Sequence, residues 1–175
     1  RRVHRACAQA RQTHGGVMVF ARTSKAAARL SEQIREGETE KRYLAVTIRI
    51  PRERRARLTN ELIKDTDTNT VRISVVPTPE SKEAILDYRV LETVDNKYAL
   101  VDIELITGRG HQARVQMKGI GCPIFGDARY GGGTAKDGNL ALWAYELKFK
   151  HPTSGKTMAF KVFPPTENSP WKYFS

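Results

Sequence analysis

The sequence predicts an α+β fold, a mainly antiparallel mixed sheet flanked by short helices and loops. Three observations point to it: runs with alternating apolar residues recur from residue 41 onward, the links between them are short and rich in turn formers, and only two stretches carry helical spacing. Short links join antiparallel neighbours, whereas parallel strands need crossovers of about a dozen residues or more. At 175 residues the chain is expected to form a single domain over residues 1–175, with residues 1–14 atypical.

Taken in order, "RRVHRACAQARQTH" (1–14) shows neither period two nor period 3.6, and no element is assigned to it. "GVMVFA" (16–21) reads as a buried strand. A helix follows, capped by Thr23 or Ser24, with Ala27, Leu30 and Ile34 as its apolar stripe and Gly37 as its stop. "KRYLAVTI" (41–48) alternates, placing Leu44, Val46 and Ile48 on one face and Tyr43, Ala45 and Thr47 on the other. The charged stretch 51–70 is expected to run over the surface between strands. "VRISVV" (71–76), "EAILDYRVLET" (83–93) and "YALVDIELIT" (98–107) read as successive strands. "GRGHQARVQMKGIG" (108–121) reads as a glycine turn into a short helix, and "LALWAYELKFKHP" with "KTMAFKVF" as a hairpin around "TSG" (153–155).

Thirty Lys and Arg against nineteen Asp and Glu leave a formal charge of +11, which favours a polyanionic partner. Charge alone does not separate RNA from DNA or an anionic membrane surface. No apolar run approaches the ~18 residues of a membrane span, and residues 1–14 lack the apolar centre of a secretory signal, so a soluble, cytoplasmic protein without membrane attachment is expected. DNA is not expected, because neither a recognition-helix pair nor a zinc pattern is present. Cys7 and Cys122 lie in no disulfide or ligand spacing, and His111 has no second His or Cys near it, so no metal site is expected.

The chemistry concentrates in "ELITGRGHQARVQMKGIGCPIFGDARYG" (104–131), where a strand enters a glycine turn and a helix opens among Arg109, His111, Gln112 and Arg114. Donors gathered at a helix N-terminus suit an anion, phosphate or carboxylate; an amphipathic helix with a solvated charged face is the plainer alternative. Tyr43, at the head of its strand, reads either as core filler or as a catalytic group.

Five ordered blocks, "GVMVFARTSKAAARL", "EKRYLAV", "LITGRGHQARVQM", "GCPIFGDARYG" and "LKFKHPTSGKTMAF", closely resemble the RluA-type pseudouridine synthases over nearly all of residues 15 to 163. The resemblance implies the pseudouridine synthase catalytic fold, isomerisation of uridine in structured ribosomal or transfer RNA, and no cofactor. It also implies that strands and a loop precede these blocks, so the chain is expected to be the C-terminal part of a longer catalytic domain. A sheet edge left open invites a dimer. By the same resemblance Tyr43 stacks on the target base and is a candidate for the final proton abstraction. Arg114 pairs with the nucleophilic aspartate, and Arg109, His111 and Gln112 hold the loop and contact RNA.

One departure is large. Counting back from Gly15, the aspartate slot falls on Arg11, the family arginine on Gln9 and the histidine on Ala8. An arginine has no lone pair to offer, so the chain as written is expected to be inactive, with Arg11 repelling Arg114 and distorting the segment. Read one nucleotide forward, the codons of residues 8–14 admit His, Arg, Leu, Asp, Arg, Pro and Thr, the family motif. Loss of one base in the codons of Gly15 and Gly16 would restore the frame. A compensated frameshift is therefore the expectation, against divergence into an inactive RNA-binding module.

Overall fold

The computed structural model describes residues 15–131, 133, 140–167 and 170–174, together with the backbone of residues 5–6. Its centre is an eight-stranded sheet. In chain order the elements are β1 (Arg5–Ala6), β2 (Gly15–Gly16), β3 (Phe20–Ala21), α1 (Ser24–Arg35), β4 (Glu40–Thr47), β5 (Arg55–Asp65), β6 (Thr70–Ser74), β7 (Lys82–Val94), β8 (Tyr98–Leu105), α2 (Gln112–Gly119), β9 (Leu142–Lys150), β10 (Thr157–Lys161) and a 3₁₀ turn, Trp171–Phe174. The main sheet runs β10-β9-β4-β8-β7-β5-β6 and is antiparallel throughout. Among the described residues β2 adds the one parallel pairing, beside Trp143 and Ala144, the stretch of β9 beyond the end of β10.

β4 sits centrally because both of its faces are apolar: Leu44, Ala45, Val46 and Thr47 are all buried. β7 and β8 join through Asp95 and Asn96, both with positive φ, as a tight hairpin of right-twisted strands requires. α1 starts where Thr23 accepts a hydrogen bond from the Ala26 N–H at 3.1 Å, and it stops at Gly37, φ +72°. Leu30 seats the helix on Ala21 and Phe149, while Gln33 exchanges bonds with both backbone groups of Lys150.

Three expectations need correction. Residues 51–70 are not a surface excursion, since 55–65 form an eleven-residue strand paired on both sides. Its charged residues alternate with Ala56, Leu58, Asn60 and Leu62, and the density of arginine hid that period-two pattern. "GVMVFA" is not one buried strand either: residues 17–19 lie outside any strand, and Met18 and Phe20 are 52% and 50% exposed. Val75, read as strand, lies beyond β6 and is 98% exposed.

Register assigns the faces of the sheet. Tyr43 pairs with Ile103, Ile103 with Tyr88, and Tyr88 with Ala56, so Lys41, Tyr43 and these residues share a front face. α2 lies on that face: the Gln116 amide donates to Leu58 O and Ala84 O at 3.1 Å and to Asn60 Oδ1 at 2.8 Å. Behind, Trp171 and Phe174 of the 3₁₀ turn cover Leu44 and Leu100.

Candidate active site

The front-face site begins with the turn that delivers α2. Gln112 is 2% exposed and its side chain is bonded through both its oxygen and its nitrogen. Oε1 accepts from Thr107 Oγ1 and the Arg109 N–H at 2.9 Å each, and Nε2 donates to Ile85 O at 2.9 Å. This one amide ties the glycine turn to β7. Arg109 keeps an exposed guanidinium, with Nε donating to Glu83 O at 2.9 Å. His111 caps α2 in the left-handed region, φ 53°, and offers no side-chain cap. Its ring reaches Tyr130 instead, Nδ1 to Oη at 2.8 Å. A strained backbone of this kind persists where neighbours hold it, and Gln112 and Tyr130 do so here.

Arg114 is 5% exposed, and a guanidinium so placed must have a counter-charge. Asp127, 1% exposed, supplies it in a two-pronged pair: Nε to Oδ2 at 2.8 Å and Nη2 to Oδ1 at 2.7 Å. Oδ1 also accepts the Tyr130 N–H at 3.1 Å, and the Tyr130 ring lies under the guanidinium, 4.9 Å from centroid to Cζ. The Tyr130 hydroxyl accepts the Val71 N–H at 2.9 Å, so "GDARYG" links α2, β6 and the loop in one network. Nη1 of Arg114 makes no hydrogen bond among the described residues and keeps its donors. Asp127 accepts three bonds on two oxygens and is 1% exposed, so its carboxylate is buried behind Arg114 and is not presented to a substrate as a nucleophile.

Tyr43 stands on the same face, between Ile103 of β8 and Ala144 of β9, next to a bulge after Arg42. Burial pushes its phenol up, and among the described residues its hydroxyl has no hydrogen-bond partner. Gly15 and Gly16 pair with Trp143 and Ala144, so β2 docks on the very residue that is Tyr43's register partner. Only glycines fit: a Cβ at 15 would stand 1.8 Å from the Trp143 ring, and one at 16 would stand 2.1 Å from Ala144 O, with φ +119° besides. Arg11, the slot of the expected nucleophile, lies outside the described residues, as does its expected clash with Arg114.

The structure thus places Tyr43 and α2, with Arg114, on one sheet face, and turns Gln112 inward as a brace. Sequence reading passed over Asp127 and Tyr130, although the requirement of a buried arginine for a carboxylate was a usable signal. It also passed over a second charged cluster on the back face, where buried Asp102 accepts from Arg42, from Arg89 at 3.2 Å and from Tyr145 Oη at 3.0 Å. No group of His, Cys, Asp or Glu among the described residues is arranged to hold a metal ion. No helix among them is long and apolar enough to cross a membrane.

Comparison with known proteins agrees with this geometry. Residues 11–118 match the family model described as RNA pseudouridylate synthase. The chain is 34% identical over 169 residues to the dual-specificity RNA pseudouridine synthase RluA of Escherichia coli, covering 92% of this chain and 76% of that one. It is 28% identical over 165 residues to an uncharacterized RNA pseudouridine synthase of Chlorobaculum parvum, covering 84% of this chain and spanning only half of that protein's length. Human RNA pseudouridylate synthase domain containing 1 shares the fold, with a TM-score of 0.77 at 23% identity over 97% of this chain and 72% of that one. The chain belongs to the RNA pseudouridylate synthase family, among the RluA-type members.

Proposed function

We propose that the protein isomerises uridine to pseudouridine within RNA and that residues 1–175 act as one catalytic domain. What carries the reading is a buried Arg114, held by Asp127 with its Nη1 donors unused, on the sheet face that presents a desolvated Tyr43, in a chain of this family. In the reaction the bond from N1 of uracil to C1′ of ribose breaks and a bond from C5 to C1′ forms. N1 gains a proton and C5 loses one. The step needs an oxygen nucleophile in the slot that the sequence gives as Arg11: with aspartate there, as the shifted frame admits, the carboxylate detaches the base and Arg114 Nη1 keeps it ionised, whereas the chain with Arg11 lacks the nucleophile. Tyr43 lies flat on the flipped uracil and takes the proton from C5. Arg109 meets the RNA backbone, while His111 and Gln112 shape the turn.

The substrate is a structured RNA, ribosomal or transfer, and the protein works in the cytoplasm without a cofactor. The outer edges β6 and β10 are where a second copy would pair. The test is conversion of uridine in ribosomal and transfer RNA by the chain carrying Arg11 and by its Arg11→Asp variant, read as pseudouridine formed. The variant, which places at 11 the residue that the shifted frame admits, is expected to be faster by at least about 10³-fold. Equal rates for the two chains would overturn the proposed chemistry. Binding without turnover by both would favour an RNA-binding module.

A further inference from the structure

Lys41 stands two residues before Tyr43 on β4, so both side chains leave the front face, about 7 Å apart along the strand. Its register neighbours on that face are Leu105 of β8 and Leu147 of β9, which wall its stem with apolar surface. Its tip reaches the turn that opens α2. A Cβ built on Gly108 would stand 2.8 Å from Lys41 Nζ and would meet no other atom within 4 Å. The space that a side chain at 108 would fill is therefore the space beside the ammonium.

That ammonium has lost water without gaining a counter-charge. Burial is the sole cause acting on it, and it lowers the amine's pKa from the ordinary lysine value. Among the described residues no carboxylate or carbonyl lies in bonding reach of it. The contrast with nearby lysines is sharp: Lys148 holds Glu40 at 2.7 Å, Lys150 holds Glu38 at 3.1 Å, and Lys161 holds Glu146 at 3.6 Å. A half-buried cation beside a side-chain-free turn, on the face of Tyr43, is a place where an anion brought from outside gains a charge-assisted bond.

We propose that Lys41 Nζ and the Gly108 turn form a subsite for one phosphate of the RNA backbone, next to the nucleotide that stacks at Tyr43. The subsite rests on the reading above that this face takes RNA. It sets where the strand enters: the phosphate is pinned at the turn while the base swings to the tyrosine.

The experiment is equilibrium binding of unmodified transfer RNA across a series of KCl concentrations, for the parent chain and for Lys41→Met, Lys41→Arg and Gly108→Ala. Each displaced phosphate contact lowers the magnitude of the slope of log K against log salt by about 0.7 to 0.9. Lys41→Met is expected to weaken binding and to lose that much slope, and Lys41→Arg to keep most of it. Gly108→Ala keeps the charge but pushes the flexible ammonium aside, so it should lose slope as Lys41→Met does, a result that simple loss of packing would not give. Melting curves check that each variant folds, and Lys41→Gln serves where Lys41→Met does not. Lys41→Met binding with the parent's slope overturns the subsite alone. A parent chain with no affinity for RNA overturns the reading on which it rests.

Discussion

At the scale of single residues, Tyr43 is the group whose two roles separate most cleanly. Its ring can stack whether or not the hydroxyl is present, whereas proton transfer needs the oxygen. Tyr43→Phe is therefore expected to lower kcat by about 10²-fold or more while KM changes little, the loss typical for a positioned acid or base. Because burial raises the phenol, the phenolate that would take the C5 proton becomes abundant only above the ordinary tyrosine value of about 10. A Tyr43-limited rate should thus keep climbing with pH into the alkaline range, as a pH profile of single-turnover rates would read. A plateau near neutral pH would assign the proton to another base. Gln112 illustrates the opposite case, a residue that the family resemblance assigned both to holding the loop and to RNA, and whose described bonds all run to the loop and its neighbouring strand, through Thr107, Arg109 and Ile85.

At the scale of elements, α2 is only eight residues long, too short to hold itself in water, so its position depends on what it grips. It grips through Gln116 to β5 and β7, and through Arg114 to Asp127. Asp127→Ala leaves a buried guanidinium without its carboxylate, which should cost about 3–5 kcal/mol of stability. Urea denaturation monitored by tryptophan fluorescence checks this, and a loss below about 1 kcal/mol would show that solvent reaches Arg114 after all. β5 teaches the same lesson about reading charge. Its arginines and its apolar residues alternate, and the arginines face the back of the sheet while Leu58 and Leu62 pack on the front.

For the molecule as a whole, the useful fact is how the charge is divided between the faces. Across the back runs a row of register partners, Arg57, Asp87, Glu104, Arg42, Glu146 and Lys161, whose three positive and three negative charges cancel. A neutral row is a poor polyanion surface, and the net +11 of the chain is carried elsewhere. Arg57→Ala should accordingly leave RNA affinity within about twofold and the salt slope unchanged, unlike Lys41→Met on the front. A slope reduced by Arg57→Ala would move the RNA path to the back of the sheet. Much of this architecture was legible in the chain alone. The alternation of "KRYLAVTI" and "YALVDIELIT", the cap at Thr23, the turns at "VDN" and "TSG" and the glycine entry to α2 are local properties, set by side-chain period and backbone sterics. So were the family blocks and the anomaly at Arg11. What only the tertiary structure decided was pairing between residues distant in sequence: Asp127 rather than position 11 as the described partner of Arg114, Lys41 against Gly108, the charge row across six strands, and β2 docked on Ala144. A local pattern reports which way a side chain points, but not which strand lies beside it. Strand order follows from packing the whole core at once, and the burial that gives these charged groups their chemistry exists only after that packing is complete.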